Sequence, residues 1–294
     1  MADPTSITRP SDGNIRSALG AIVEAMRAGY GEKRVDPQSL PDGGHDLGFI
    51  ERARPVLEFL YGKYFRVRTI DIENVPGTGP ALLVANHSGG LPYDGAMLIY
   101  GIFRDHPAHR RLRTLVANFA FRSPWMANVV ARIGGVRAST ETAMPLLRDG
   151  NLVGVFPEGL KGVGKMYRER YRLSRFGRGG FVRLARQANV PIIPVAIVGA
   201  EEIHPVLGKI TSLAEPLGIP YIPITPTFPL LGPLGLLPVP TKWTIRFGPP
   251  IHCPAATDGR ADDDVTTTTA EQVRHTIDAM IAELLAQRRS IIFG

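Results

Sequence analysis

The sequence predicts an α/β fold, with a mostly parallel central sheet flanked by helices, N-terminal amphipathic helices and a C-terminal helix. Two patterns lead to this prediction. From Phe65 onwards, short β-branched runs alternate with helical stretches, and amphipathic helical patterns precede and follow that region. Hydrophobic residues make up 44% of the 294 residues, so the chain can bury a substantial core, which excludes global disorder.

An N-terminal helical region is expected over residues 1–64, with two amphipathic helices joined by a polar linker rich in Pro and Gly. The second helix is predicted from an apolar face that extends from Phe49 to Tyr64. Core packing and docking on a bilayer surface both explain these two faces, and the sequence does not choose between them. The apolar residues that define the first helix are Ile15, Leu19, Ile22, Val23 and Met26.

The α/β domain is expected over residues 65–294. Its predicted strands are Arg68–Ile72, Ala81–Ala85, Thr114–Ala117, Leu152–Phe156, Ile192–Ile197 and Trp243–Phe247. Its predicted helices are Gly95–Phe103, Pro124–Ile133, Thr140–Asp149, Gly179–Gln187 and an amphipathic helix that begins at Ala270.

The formal charge of +7 is carried mainly by arginine, which supplies 28 of the 34 basic residues. Because guanidinium groups match phosphate well, this balance favours an anionic partner: nucleic acid, an acidic membrane surface or a phosphorylated small molecule. A genome-wide preference for Arg over Lys explains the same count. The single cysteine, Cys253, excludes a disulfide framework and a multi-thiolate metal site.

A long uncharged segment lies between Glu215 and Lys242. Its 26 residues include eight prolines, which forbid one continuous helix. Such a segment is either a buried connector or an exposed apolar loop that dips into lipid, and we expect contact with a membrane or an acyl chain. A spanning helix is not expected, because the chain has no uninterrupted apolar stretch of about 18 residues. A secretory signal is not expected either, since the start of the chain is polar.

The strongest local motif follows the predicted strand Ala81–Ala85. His87 comes directly after that strand, and a Gly-rich loop then leads to Asp94, which opens a helix. An aspartate beside a histidine holds one ring nitrogen and raises the basicity of the other, which suits a general base that takes a proton from a hydroxyl. The alternative is a histidine that only caps the loop through backbone hydrogen bonds.

Three further motifs follow. The run Phe156-Pro157-Glu158-Gly159 places a carboxylate in a tight turn, where glycine lets a ligand approach the backbone. Arg137 follows the pair Gly134-Gly135 and is suited to bind a phosphate through its planar fork. A plain turn glutamate and a surface arginine are the alternatives. Val190–Val195 predicts a buried strand without a reactive group.

In their order and spacing, these four motifs resemble the glycerolipid acyltransferase superfamily, of the lysophosphatidate acyltransferase type. The resemblance covers about residues 70–200, and the Phe-Pro-Glu-Gly motif matches completely. The later stretch Pro226–Pro240 looks like the monoacylglycerol/diacylglycerol-acyltransferase-like branch. Two departures stand out: six residues rather than four separate His87 from Asp94, and Leu160-Lys161 stand where the family commonly has Thr/Ser-Arg.

The resemblance implies an O-acyltransferase that moves a fatty acyl group from a thioester, acyl-CoA or acyl-ACP, to a hydroxyl of a lysophospholipid or of a mono- or diacylglycerol. It implies that His87 and Asp94 are catalytic, with His87 as general base and no acyl-enzyme. The expected substrate-binding residues are Asn86, Ser88, Gly89, Arg137, Phe156, Pro157, Glu158, Gly159 and Lys161. The acyl donor is a co-substrate, and no cofactor or metal is expected. We expect a peripheral protein at the cytoplasmic face of a membrane.

A basic run follows the motifs and is interleaved with Tyr167, Tyr171 and Phe176. No helix-turn-helix, zinc or RNA-recognition signature accompanies it, so nucleic acid is not the expected partner, although this remains a rival function. Phosphates of coenzyme A, a lysolipid headgroup or anionic lipid are expected there, and a solvated charged face is the alternative. A second rival is a non-catalytic lipid-binding or membrane-tethering protein of the same fold. The run comprises Lys161, Lys165, Arg168, Arg170, Arg172, Arg175, Arg178, Arg183 and Arg186.

Overall fold

A seven-stranded sheet forms the centre of the fold in the computed structural model. The structure describes residues 46–88, 93–121, 124–159, 162, 164–177, 179–212, 214, 221–253 and 262–294. The strands are β1 (Arg68–Ile70), β2 (Ala81–Ala85), β3 (Leu112–Val116), β4 (Gly135–Arg137), β5 (Leu152–Val155), β6 (Ile192–Val198), β7 (Gly208–Ile210), β8 (Ile222–Ile224) and β9 (Thr244–Phe247). Of these, β7 and β8 pair separately as an antiparallel hairpin.

The order of the strands across the sheet is β1-β9-β6-β2-β5-β3-β4. The pairs β6–β2, β2–β5, β5–β3 and β3–β4 are all parallel, whereas β9 runs antiparallel to β6 and parallel to β1. Five neighbouring strands therefore share one direction, and their carboxyl ends lie at the same edge of the sheet. The predicted α/β fold with a mostly parallel sheet is confirmed.

All six predicted strands are present, with bounds that differ by a few residues, but β4 and the β7–β8 hairpin were not predicted. The glycine pair before Val136 concealed β4, because glycine is disfavoured in strands. Pro223 concealed β8, which tolerates it because this short hairpin leaves a strand edge unpaired.

The two central strands are buried on both faces, which explains their continuous apolar runs. On β2, Leu82 and Val84 join one core cluster, whereas Ala81, Leu83 and Ala85 join the cluster on the opposite face. This alternation follows from the two-residue period of a strand.

Helices cover both faces of the sheet. The first cluster contains side chains from α4 (Thr140–Arg148), α5 (Gly180–Ala188) and α6 (Asp262–Gln287), and the second contains side chains from α2 (Tyr93–Asp105). The C-terminal helix was predicted to start at Ala270 but is already helical at Asp262. The helices are α1 (Leu47–Glu58), α2 (Tyr93–Asp105), α3 (Pro124–Arg132), α4 (Thr140–Arg148), α5 (Gly180–Ala188) and α6 (Asp262–Gln287).

The second predicted N-terminal helix is present as α1, which continues into a π-helical segment, Phe59–Tyr64. Tyr61 in that segment is completely buried and donates a 2.6 Å hydrogen bond to the carboxylate of Asp105. The segment thus belongs to the core on the α2 face. The first predicted helix, at residues 15–26, lies outside the described residues, and the domain division after residue 64 stays a prediction.

The uncharged segment contains an exposed apolar loop. Residues 215–220 lie outside the described residues, but residues 230–237, here called the leucine loop, carry five exposed leucines. Leu230 is 84% exposed, and Leu231, Leu234, Leu236 and Leu237 are 59%, 69%, 36% and 63% exposed. For this loop the structure therefore shows the exposed alternative rather than the buried connector. Within the described ranges, no helix has the length and apolar composition that crossing a bilayer requires.

Candidate active site

His87 and Asp94 meet at the carboxyl edge of the sheet. His87 lies two residues beyond the end of β2, and Asp94 lies in the first turn of α2. The ring atom Nδ1 of His87 is 2.6 Å from Oδ2 of Asp94. The six-residue spacing therefore allows the contact; residues 89–92 of the connecting loop, including Gly89, lie outside the described residues.

The carboxylate of Asp94 is fixed on several sides. Its Oδ2 also accepts the backbone N–H of Ser88 at 2.9 Å and the Ser88 hydroxyl at 3.2 Å, and its Oδ1 accepts the N–H of Gly95 at 2.8 Å. The side chain has no solvent exposure. Ser88, expected to bind substrate, is itself only 2% exposed and is engaged by Asp94. Ser88 therefore helps to position the carboxylate, and its expected contact with substrate stays a prediction.

The imidazole of His87 is arranged for proton transfer. Burial lowers its pKa, but the charge and hydrogen bond of Asp94 and the charge of Glu158 raise it, so that the pKa lies above the ordinary value of 6.5. With Asp94 accepting from Nδ1–H, the neutral ring carries its lone pair on Nε2. No described residue hydrogen-bonds to Nε2, and the side chain keeps 18% exposure. The ring of Phe156 lies against the imidazole, with centroids 4.6 Å apart.

Asn86, which was expected to bind substrate, makes its side-chain contacts inside the protein. Its side chain is completely buried and makes two hydrogen bonds to the backbone of Ile197, which lies on the neighbouring strand β6. The amide Nδ2 donates to the carbonyl at 3.0 Å and the amide oxygen accepts the N–H at 2.7 Å. Asn86 therefore extends the β2–β6 pairing just before His87.

Glu158 holds the backbone of His87 in place. Its Oε1 accepts the N–H of His87 at 3.0 Å, and its Oε2 accepts the N–H of Ser174 at 2.8 Å. The side chain has no exposure, so its contacts are internal. These contacts give the carboxylate a positioning role, and its expected contact with an acceptor stays a prediction.

No separate sequence signal marked Lys165 and Glu201, the two residues that complete this charge network. Lys165 Nζ lies 2.8 Å from Glu158 Oε2 and 3.3 Å from Glu201 Oε1, and the lysine side chain is only 8% exposed. The other oxygen of Glu201 accepts the N–H of Tyr171 at 2.8 Å. Lys165 had been assigned to the basic run that binds phosphate; instead it neutralises two buried carboxylates.

Gly162 is a further residue that the motifs did not indicate. A Cβ atom at this position would lie 2.8 Å from Cβ of Glu158 and 2.9 Å from Cβ of His87, closer than real Cβ contacts allow. Glycine is required here because the two side chains approach the backbone from both sides.

The remaining predicted site residues lie near this edge but outside the network. Arg137, at the end of β4, is exposed and places its guanidinium 5.0 Å from the ring centre of Phe121. Pro157 and Gly159 form the turn after β5, where Gly159 has a φ of +54°. Lys161 lies outside the described residues. No hydrogen bond or ion pair joins Arg137 to His87, Asp94 or Glu158 within the described part of the chain.

Cys253 is remote from this site. It follows Ile251, which bridges to Ile192 at the start of β6, whereas His87 lies near the end of that strand. Burial also raises the pKa of the Cys253 thiol, which keeps it protonated.

The chain matches a known family and resembles one solved structure. Residues 66–198 match the family model described as Acyltransferase. An uncharacterized protein of Mycobacterium leprae is 51% identical over 282 residues, which cover 95% of this chain and 76% of that protein. A Bos taurus protein named DGAT1/2-independent enzyme synthesizing storage lipids is 28% identical over 162 residues, 54% of this chain and 47% of that protein.

The crystal structure of the 1-acyl-sn-glycerophosphate (LPA) acyltransferase PlsC from Thermotoga maritima matches the fold with a TM-score of 0.51. The match covers 94% of this chain and 98% of that chain, at 18% sequence identity. This likeness supports the α/β architecture described above.

Replacing Lys165 tests the buried charge network. Burial raises the pKa of Glu201, and the charge of Lys165 opposes that rise. Lys165→Met removes the opposing charge and leaves two carboxylates without a cation, so the free energy of unfolding should fall by about 3–5 kcal/mol at pH 7.5. The loss should be smaller at pH 5.5, because a carboxyl group whose pKa is higher in the folded than in the unfolded state destabilises the fold less as the pH falls. Urea denaturation at both pH values measures this difference.

The double variant Lys165→Met/Glu201→Gln is the matched control, because it removes a buried carboxylate together with its cation. It should be more stable at pH 7.5 than Lys165→Met alone. Equal stability of the single variant and the unmodified protein at both pH values would show that the ion pairs do not support the fold.

Proposed function

Because this chain belongs to the acyltransferase family, we propose that it moves a fatty acyl group from a thioester, acyl-CoA or acyl-ACP, to a hydroxyl of a glycerolipid. The observation that carries this proposal is the 2.6 Å contact between His87 Nδ1 and Asp94, with the opposite ring nitrogen left without a protein partner among the described residues. That arrangement is a general base held in one tautomer.

The reaction is a direct transfer. Nε2 of His87 takes the proton of the acceptor hydroxyl while the hydroxyl oxygen bonds to the thioester carbonyl carbon. The tetrahedral intermediate then expels the thiolate, which takes the proton back from the imidazolium and leaves as a thiol. The products are an ester and a free thiol, so that atoms and charge balance. General-base catalysis of this kind contributes roughly 10²–10⁴-fold in rate.

Asp94 supports both halves of this cycle. Its hydrogen bond to Nδ1 holds the ring with Nε2 towards the acceptor, and its negative charge stabilises the imidazolium that forms after proton transfer. Ser88 and Gly95 hold the carboxylate in turn.

An acyl-enzyme is not part of the proposed mechanism. Ser88 is buried, and its hydroxyl contacts Asp94. Cys253 lies towards the opposite end of β6 with a raised thiol pKa. Neither side chain is placed as a nucleophile activated by His87.

The acceptor is a lysophospholipid or a mono- or diacylglycerol. The name of the Thermotoga maritima structure supports a phosphate-bearing acceptor, and the name of the Bos taurus relative supports a neutral glyceride. Arg137 at the same sheet edge is the residue we assign to a phosphate or polar headgroup. The expected contacts of Gly89 and Lys161 with substrate stay predictions. Phe156, Pro157 and Gly159 line the approach beside His87.

Attachment to the cytoplasmic face of a membrane is the second part of the proposal. Five leucines of the leucine loop are exposed, and Phe293 near the C-terminus is 86% exposed. Arg66 ties these two regions together, since its guanidinium donates to the carbonyls of Pro240 and Ile292. Inserting apolar side chains into lipid stabilises binding by roughly 1.5–3 kcal/mol for each fully buried leucine. A single free thiol is compatible with a reducing compartment.

Removing the imidazole tests the reaction itself. With labelled acyl-CoA and a panel of lysophosphatidate, other lysophospholipids, monoacylglycerol and diacylglycerol, the unmodified protein should form labelled ester with at least one acceptor. His87→Ala should lower the rate by roughly 10²–10⁴-fold, because the acceptor hydroxyl loses its base. His275→Ala, at an exposed position of α6, is the matched control and should retain full activity.

Near-normal turnover by His87→Ala would refute the general-base mechanism. Absence of turnover in the unmodified protein across donors and acceptors, together with lipid binding, would instead favour the non-catalytic lipid-binding function.

The pH dependence tests the role of Asp94. Because the pKa of His87 is raised above 6.5, kcat/KM should increase with pH and reach half its plateau above pH 6.5. Asp94→Asn removes the charge and the acceptor that raise this pKa, so the midpoint should move to lower pH while the plateau falls by about 10²-fold or more. Steady-state kinetics from pH 5 to 9 measure both quantities. An unchanged midpoint and plateau would show that another group orients the ring.

Vesicle binding tests the leucine loop. The triple variant Leu230→Ser/Leu231→Ser/Leu234→Ser loses apolar area that the proposal places in lipid, so binding to phosphatidylcholine vesicles containing phosphatidylglycerol should weaken by about 10²-fold or more. Flotation measures the bound fraction, with circular dichroism as the check on folding. Flotation of the triple variant equal to that of the unmodified protein would exclude the loop as the attachment surface.

A further inference from the structure

A pocket that is separate from the His87 site lies between the basic run and the C-terminal end of α6. Its volume is about 450 Å³, within the range of small-molecule sites. Two parts of the chain far apart in sequence form it. One is the loop Arg168–Arg172, and the other is the segment from Leu285 to Ile291.

Positive charge dominates this pocket. Five arginines line it, and the only carboxylate among the lining residues is that of Glu202. Glu202 is already neutralised by Arg288, whose Nη1 lies 2.6 Å from Oε2 of the carboxylate. In the part of the chain that the structure describes, the other four guanidiniums have no ion pair with an acid. These are Arg168, Arg170, Arg172 and Arg289, and the name arginine pocket is used for them and the space between them.

The loop that carries three of these arginines is held rigidly. Tyr171 has a φ of +64°, a conformation that non-glycine residues rarely adopt, and its side chain points into the protein. Its hydroxyl accepts the N–H of Gly199 at 2.9 Å, and its backbone N–H donates to Glu201 at 2.8 Å. The arginines are thus presented by an anchored loop, which lowers the ordering cost of binding an anion.

The opposite wall is anchored as well. Arg288 donates to the carbonyls of Lys242 and Ile291, at 2.9 Å and 2.8 Å, which fixes the chain on both sides of Arg289. Four like charges held close together without counter-charges repel one another, and a multivalent anion between them relieves that repulsion. Phosphate suits guanidinium best, because two parallel N–H donors match two phosphate oxygens.

We infer that the arginine pocket is a binding site for a phosphate-bearing ligand. The shared chemistry is a phosphate monoester or diester that offers at least two unprotonated oxygens to the guanidinium groups. Two sources carry it: the nucleotide end of a soluble thioester donor, and the headgroup of an anionic lipid. The inference concerns binding alone and does not rest on acyl transfer at His87.

The double variant Arg172→Ala/Arg289→Ala tests the site from both walls. Isothermal titration calorimetry with coenzyme A examines the soluble source, and flotation with phosphatidylcholine vesicles with and without phosphatidylglycerol examines the lipid source. The variant should raise the Kd of one of these ligands by about tenfold or more, because two charge-assisted contacts are lost. Arg52→Ala/Arg148→Ala removes the same charge from exposed positions elsewhere and should leave binding unchanged.

The arms of this experiment distinguish the sources. A loss confined to coenzyme A supports the nucleotide phosphates, and a loss confined to the phosphatidylglycerol-dependent part of flotation supports the lipid phosphate. If the double variant binds both ligands as tightly as the matched control, or if the unmodified protein binds neither, the inference is overturned.

Titrating His87→Ala protein separates this outcome from the proposed function. The pocket shares no residue with the dyad, so binding should persist in that variant while acyl transfer fails. Comparable thermal unfolding of the double variant and the unmodified protein confirms that weaker binding does not arise from unfolding.

Discussion

The arrangement around His87 depends on one buried ammonium group. Lys165 lies between Glu158 and Glu201, and both carboxylates are removed from solvent. Burying a carboxylate without a cation or hydrogen-bond donors is strongly unfavourable, so the lysine offsets the cost of placing both acids inside the protein. Glu158 accepts the backbone N–H of His87, whereas Asp94 holds the ring of the same residue. Two acids with separate tasks therefore determine where the imidazole lies and what it can do.

The same internal charges connect the site to the rest of the molecule. Glu201 joins Lys165 to the backbone of Tyr171, and Tyr171 anchors the loop that presents the arginines. Arg288 then links that region to the carbonyl of Lys242, at the end of the uncharged segment. Hydrogen bonds and ion pairs thus connect the sheet edge at His87, the loop that carries the arginines and the end of the uncharged segment. A substitution that shifts one of these three regions is expected to shift the other two through these contacts.

Much of the fold could be predicted because its signals are local. Strands β2 and β6 read as continuous apolar runs, and α4 and α5 follow helical spacing closely. The strand β4 and the β7–β8 hairpin lacked such a signal, since glycine and proline interrupt them. Family resemblance also located His87 and Asp94, whose contact could not be deduced from a loop of unusual length.

The supporting residues of the site were harder to predict for a physical reason. Lys165 and Glu201 carry charges, and a charged residue in a sequence is normally assigned to the surface. Only the three-dimensional structure shows that opposite charges from distant segments meet in the interior. The structural role of Asn86 was missed on similar grounds, because a polar side chain beside such a motif suggests ligand binding, whereas this amide bonds the backbone of Ile197 and extends the strand pairing.

The close approach at Gly162 has a consequence for how this region can vary. Its backbone fills the space between the Cβ atoms of His87 and Glu158, so even a methyl group there would act as a wedge between the loop after β2 and the turn after β5. These two connections can therefore change in length and composition only as long as residue 162 remains glycine. A strict requirement for glycine thus falls on a position that has no reactive chemistry of its own.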